Sequence, residues 1–181
     1  MSTIEYKGFT IEIVQDEEPF DPRDTDSTVG KMVCFHKRYK LGDKHDYDAG
    51  NYFRWSDIEA AIIGDNPGCL ILPLRMLDHS GITMSIGSGA YECDPGGWDS
   101  GQIGFIFCTA ALIQEEWNGD RTLAENYLRG EVEEYDQFLR GDVYNFAIKD
   151  SEGNVVNSCC GFFGYDTCLE EAKRVAGEEA A

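Results

Sequence analysis

Histidines 36, 45 and 79 are the only imidazoles in the chain, so general-base catalysis near neutral pH through an imidazole would need one of them. His79 lies in Asp78-His79-Ser80-Gly81, with Cys93, Asp99 and Ser100 further along in a glycine-rich stretch. One reading is a hydrolase with a Cys or Ser nucleophile assisted by His79. Turn chemistry explains the same run, because Asp and Ser cap turns and Gly supplies the positive φ, and no residue is assigned a catalytic role. Asp43, Asp46 and Asp48, or Asp21, Asp24 and Asp26, could offer oxygens to a hard cation, but the glycine and terminal glutamate of a calcium loop are missing at the required offsets. Cys34 and His36 would share a strand face, and no second pair is spaced to complete a zinc site. Neither a metal nor a cofactor is expected.

Seven cysteines (34, 69, 93, 108, 159, 160 and 168) make an odd number, and none forms a C-x-x-C pair. Adjacent Cys159 and Cys160 would point to opposite faces of a strand. The expectation is reduced thiols acting as small buried hydrophobes.

Charge is the dominant compositional feature: 34 Asp and Glu against 15 Lys and Arg leave −19 over 181 residues. Such a surplus repels nucleic acid and anionic membrane and favours cationic partners. Its densest patch is residues 12–26, with seven acids against one arginine, including Asp16, Glu17, Glu18, Asp21, Asp24 and Asp26. A second concentration runs from 115 to 136 and includes Glu115, Glu116, Glu125, Glu133, Glu134 and Asp136. Against this background, residues 31–44 carry Lys31, Lys37, Arg38, Lys40 and Lys44 with only Asp43, which reads as a lysine-protected strand edge or as an anion contact. Trp98, in Gly-Gly-Trp-Asp-Ser-Gly, is a rigid interface anchor if exposed and a cover for the sheet end if buried.

The elements that must position these groups follow from periodicity. Alternation from Ile4 to Val14 predicts a hairpin turning at Lys7-Gly8, and KMVCFHKRY (31–39) predicts a strand. Pro19 and Pro22 make the acidic stretch a loop. Ser56-Asp-Ile-Glu59, Thr122-Leu-Ala-Glu125 and Thr167-Cys-Leu-Glu170 read as capping boxes, and Thr109 as the cap of a helix through Trp117. Strand-like runs cover 69–77, 82–86, 103–107, 143–149 and 154–163. On a helical wheel of 122–139, Leu123, Tyr127, Leu128, Val132, Tyr135, Phe138 and Leu139 share one half. Glu131 falls inside that apolar arc, which predicts a helix break at Gly130. The mixture lacks regular βαβ alternation, so the expectation is a single α+β domain over 1–181, mostly antiparallel sheet with three or four helices.

A hydrophobic share of 42% and an aromatic share of 12% allow a real core and exclude a disordered acidic tail. Without a secretory leader pattern or an apolar run of membrane-spanning length, the chain reads as soluble and cytoplasmic.

The segments FDPRDTDSTVGKMVCFHKRYKLGDKH, ILPLRMLDHSGITMS, WDSGQIGFIF and LRGEVEEYDQFLRGDVYNF resemble a group of uncharacterised proteins encoded by bacteriophages and bacterial mobile elements. The likeness covers roughly residues 20 to 163. It implies a setting in which small acidic proteins inhibit host defence, as anti-CRISPR and antirestriction proteins do. The expected function is therefore inhibition of a nucleic-acid-directed defence system by occupying the basic DNA-binding surface of a host nuclease or effector. Direct binding to nucleic acid or membrane is not expected. The alternatives are the hydrolase above and a small-molecule-binding sponge, which a deep pocket between the basic 31–44 strand and Trp98 would favour.

Overall fold

The computed structural model describes residues 1–25 and 28–180, and its contacts divide the chain into two compact units: Met1–Asp21 with Gln137–Ala181, and Pro22–Asp136. The architecture is α+β, with two antiparallel four-stranded sheets and, among the described residues, four α-helices.

In the first unit, strands β1 (Ser2–Tyr6) and β2 (Phe9–Gln15) form the anticipated hairpin. Lys7 and Gly8 both take positive φ (51° and 86°), the two-residue turn whose twist matches paired strands. The sheet is completed by two later strands, here β7 (Val143–Lys149) and β8 (Val155–Phe163), in the order β1-β2-β7-β8. Helix α4 (Tyr165–Glu179) presents Cys168, Ala172 and Ala176, spaced by four residues and fully buried, to a core of Ile11, Ile13, Phe146 and Ile148. Side chains this small let a helix lie close on a sheet.

The second unit holds β3 (Lys31–Cys34), helix α1 (Trp55–Asp65), β4 (Leu70–Asp78), β5 (Ile82–Ile86), β6 (Ser100–Cys108), helix α2 (Ala110–Trp117) and helix α3 (Arg121–Arg140) through Asp136. Its sheet order is β3-β6-β4-β5. Alternation sends Val33, Phe105 and Phe107 to one face, where they pack with Ile58 and Ile62 of α1. Met32 and Ile106 are also fully buried, and the same alternation puts them on the other face. The basic strand is shorter than anticipated. It ends at Cys34, with one further bond from the Phe35 N–H to the Ile103 carbonyl (2.8 Å), and beyond it His36 Nδ1 accepts the backbone N–H groups of Arg38 (3.3 Å) and Tyr39 (3.2 Å) in a turn.

Helix α3 is continuous through Gly130, so the expected break does not occur. Glu131 lies in the apolar arc because it has a buried cation to meet. Arg23, whose side chain is only 3% exposed, donates to Glu131 Oε2 at 2.8 Å and bidentately to Asp43 at 2.6 and 2.9 Å. Its Nη2 also donates to the Gly30 carbonyl at 2.5 Å. Glu131 in turn accepts the backbone N–H groups of Val29 (2.6 Å) and Gly30 (3.1 Å). Glycine at position 30 leaves room for this cluster, since a Cβ would sit 2.4 Å from Leu128 and 2.9 Å from the Glu131 carboxylate and would push one of them aside.

Removing one member of a buried ion cluster leaves an uncompensated charge behind. Arg23→Met is accordingly expected to lower unfolding free energy by about 3–5 kcal/mol in urea denaturation. The triple change Arg23→Met, Asp43→Asn, Glu131→Gln should recover part of that loss.

Candidate protein interface

Thr109 caps α2 as anticipated, its Oγ1 accepting the Leu112 N–H at 3.3 Å. The helix ends on Asn118 and Gly119, both at positive φ, with the Gly119 N–H returned to the Ile113 carbonyl at 3.0 Å. The start of α3 differs from the expected Thr122 box. Asp120 takes the cap, accepting the N–H groups of Thr122 (2.9 Å) and Leu123 (3.1 Å). Arg121 then fastens the helix start to the carbonyls of Gly68 and Cys69 at 2.9 and 3.0 Å.

This hairpin brings together most of the acids predicted between 115 and 136. Glu115, Glu116, Glu133 and Glu134 are exposed and form no ion pair among the described residues. Glu125 is matched by Arg129, one turn on, at 2.6 Å. Asp136 accepts the Met84 N–H at 2.7 Å, which ties α3 to β5.

Next to Glu116 and Glu134 lies Tyr127, a residue of the apolar arc of the helical wheel. Tyr127 is 43% exposed and Leu123 52% exposed, with the Trp117 ring 5.4 Å from that of Tyr127. Tyr127 and Glu134 are two turns apart on one helix face. Desolvation pushes the Tyr127 phenol up, and the negative charges of Glu131, Glu134 and Glu116 add to it. The Glu134 carboxyl is likewise raised, first by desolvation and then by Glu131 and Glu133. Carboxylates from two helices thus share one field around an exposed ring.

The other predicted acids lie elsewhere. Asp16, in the first unit, accepts the Glu18 N–H at 3.1 Å, and Glu17 and Glu18 are exposed beside it. Asp21 is half-buried in that unit, while Asp24 is exposed in a short 3-10 turn (Pro22–Asp24) of the second. Asp26 lies outside the described residues.

Trp98 is 90% exposed and does not cover the sheet end. Its loop is closed by Asp94, which accepts the N–H groups of Trp98 (3.2 Å) and Asp99 (2.9 Å) and the Ser100 hydroxyl (2.8 Å). These bonds, the one from Asp99 foremost, hold the Asp94 carboxyl below its usual range. A cavity of about 280 Å³ is lined by Trp98, His36 and Arg38, but Arg38 is already paired with Asp78, which also lines it. Phe53, at 99% exposure, is a further bare aromatic that no sequence signal singled out.

The hydrolase constellation is not assembled. His79 Nδ1 meets Asp99 at 3.0 Å on the surface, while the Ser100 hydroxyl donates to Asp94. No hydrogen bond among the described residues joins His79 to Ser100 or Cys93. No group of three or more His, Cys, Asp or Glu side chains among the described residues could hold a metal ion. Cys34, Cys69, Cys108 and Cys168 are buried as expected, and burial pushes the thiols of Cys34 and Cys168 up to about 12 and about 11. Cys93, Cys159 and Cys160 are exposed, against that expectation.

No protein-family model matches the chain, and no curated protein or solved structure matches it. Among the described residues, no helix is long and apolar enough to cross a membrane.

A carboxyl with a raised folded pKa binds its proton more tightly folded than unfolded, so its contribution is lost as pH rises through that value. Glu134→Gln should therefore stabilise the protein at neutral pH by up to about 0.5 kcal/mol. The gain should vanish below about pH 4, where the native carboxyl is protonated in both states. Thermal unfolding across pH measures both limbs.

Proposed function

We propose that this chain is an acidic binding protein that acts by occupation: it covers a Lys/Arg-rich, nucleic-acid-binding surface on a host defence nuclease or effector. The observation that carries the reading is the α2–α3 face, where the exposed Glu115, Glu116, Glu133 and Glu134 form no ion pair among the described residues and Glu116 and Glu134 lie within electrostatic reach of the exposed Tyr127. Unneutralised carboxylates speed encounter with a basic cleft and orient it. Exposed aromatic and aliphatic side chains slow departure once water is excluded. The resemblance to proteins of phages and mobile elements supplies the setting in which such occupation is useful.

The test is competition. Protein carrying Glu115→Lys, Glu116→Lys, Glu133→Lys and Glu134→Lys should no longer capture the nucleic-acid-binding protein that wild type retains from a bacterial extract. A double-stranded oligonucleotide should displace that protein from the wild type. Retention by the reversed variant, or indifference to the oligonucleotide, would overturn the proposal. Trp117→Ala with Tyr127→Ala should raise the dissociation rate by about tenfold or more while changing the association rate little, read by surface plasmon resonance.

A further inference from the structure

A cavity of about 570 Å³ lies within the second unit, inside the ~300–1,000 Å³ range of small-molecule sites. Leu112 of α2 and its cap Thr109 also line it, but none of Glu115, Glu116, Glu133 and Glu134 does. Its lining includes Lys31 and Phe107, paired across β3 and β6, together with Asp46, Tyr47, Tyr52 and Asp65. Tyr47 and Tyr52 pack against the core that contains Phe107, so their rings have fixed backing. The Tyr47 hydroxyl donates to Asp65 at 3.1 Å, and with its phenol pushed up to about 12, first by desolvation and then by Asp65, it remains a donor at neutral pH. Asp46 and Lys31 form no ion pair among the described residues.

Two carboxylates against one ammonium leave this wall at −1, in a chain that is itself at −19. A phosphate or carboxylate ligand would meet repulsion there, whereas the tyrosine rings and the exposed carboxylates of Asp46 and Asp65 together attract a cation. We infer that the cavity binds a small organic cation, an amine on a flat ring body. The aromatic lining receives the ring, and Asp46 and Asp65 receive the ammonium. Asp65, whose carboxylate accepts the Tyr47 hydroxyl, keeps lone pairs for the ammonium.

An isosteric series separates charge from shape. By isothermal titration calorimetry, tyramine should bind saturably at one site. The neutral 4-methylphenol and the anionic 4-hydroxyphenylacetate should bind at least about tenfold more weakly. Asp46→Asn with Asp65→Asn, which preserves side-chain shape, should weaken tyramine by about tenfold or more, and Lys31→Gln should tighten it. Tyramine affinity should survive in the variant with the four α2–α3 glutamates reversed, so this result and that of the proposed function stand or fall separately. Absence of saturable tyramine binding, equal affinity for the anion, or an unchanged affinity in the Asp46/Asp65 double variant would overturn the inference.

Discussion

The second unit is organised around one buried guanidinium. Arg23 joins the Gly30 carbonyl, Asp43 and Glu131, which lie 7, 20 and 108 residues from it in sequence and must meet for β3 and α3 to take their places. Burying a charge is tolerable only when each of its donors finds a partner. Here the partners are themselves anchored: Asp43 also accepts the Met32 N–H at 2.6 Å, and Glu131 the N–H groups of Val29 and Gly30. The buried Tyr135 hydroxyl accepts the Gly42 N–H at 2.9 Å and fixes the same segment to α3. With that face of α3 committed inward, Leu123, Tyr127, Glu133 and Glu134 are left outward.

How much of this was legible depended on the range of the interaction. The β1–β2 hairpin, β5, β7 and the Thr109 cap follow from signals within a few residues, namely alternation, a turn pair or a hydroxyl before a helix. The terminal helix was foreseen too, although it starts at Tyr165 after Gly164 and not at Thr167. Glu131 was visible as an anomaly, yet its explanation lies 108 residues away at Arg23. A local reading could only turn the anomaly into a helix break. Asp120 was overlooked for a similar reason, because Thr122 with Glu125 offers a competing cap of the same chemistry.

The candidate interface shows the same division. Sequence located the acid-rich 115–136 region, but not which members would answer to neighbours. Glu125 has Arg129, and Asp136 has the Met84 N–H, whereas Glu116 and Glu134 crowd the Tyr127 phenol. Desolvation of the ring, together with that proximity, keeps the Tyr127 phenol neutral and its hydroxyl a donor. Periodicity puts Leu123 and Tyr127 on the apolar half of the helical wheel. Their exposure shows that the covered arc of α3 is narrower than its apolar arc.

The locked corner between α2 and α3 has a further consequence. Asn118 and Gly119 hold left-handed backbone, and Asp120 caps the next helix, so the hairpin has its shape before any partner arrives. A docking surface prepared in this way loses little conformational freedom on complex formation. Association through it would therefore be governed by diffusion and ionic strength, with no folding step to slow it.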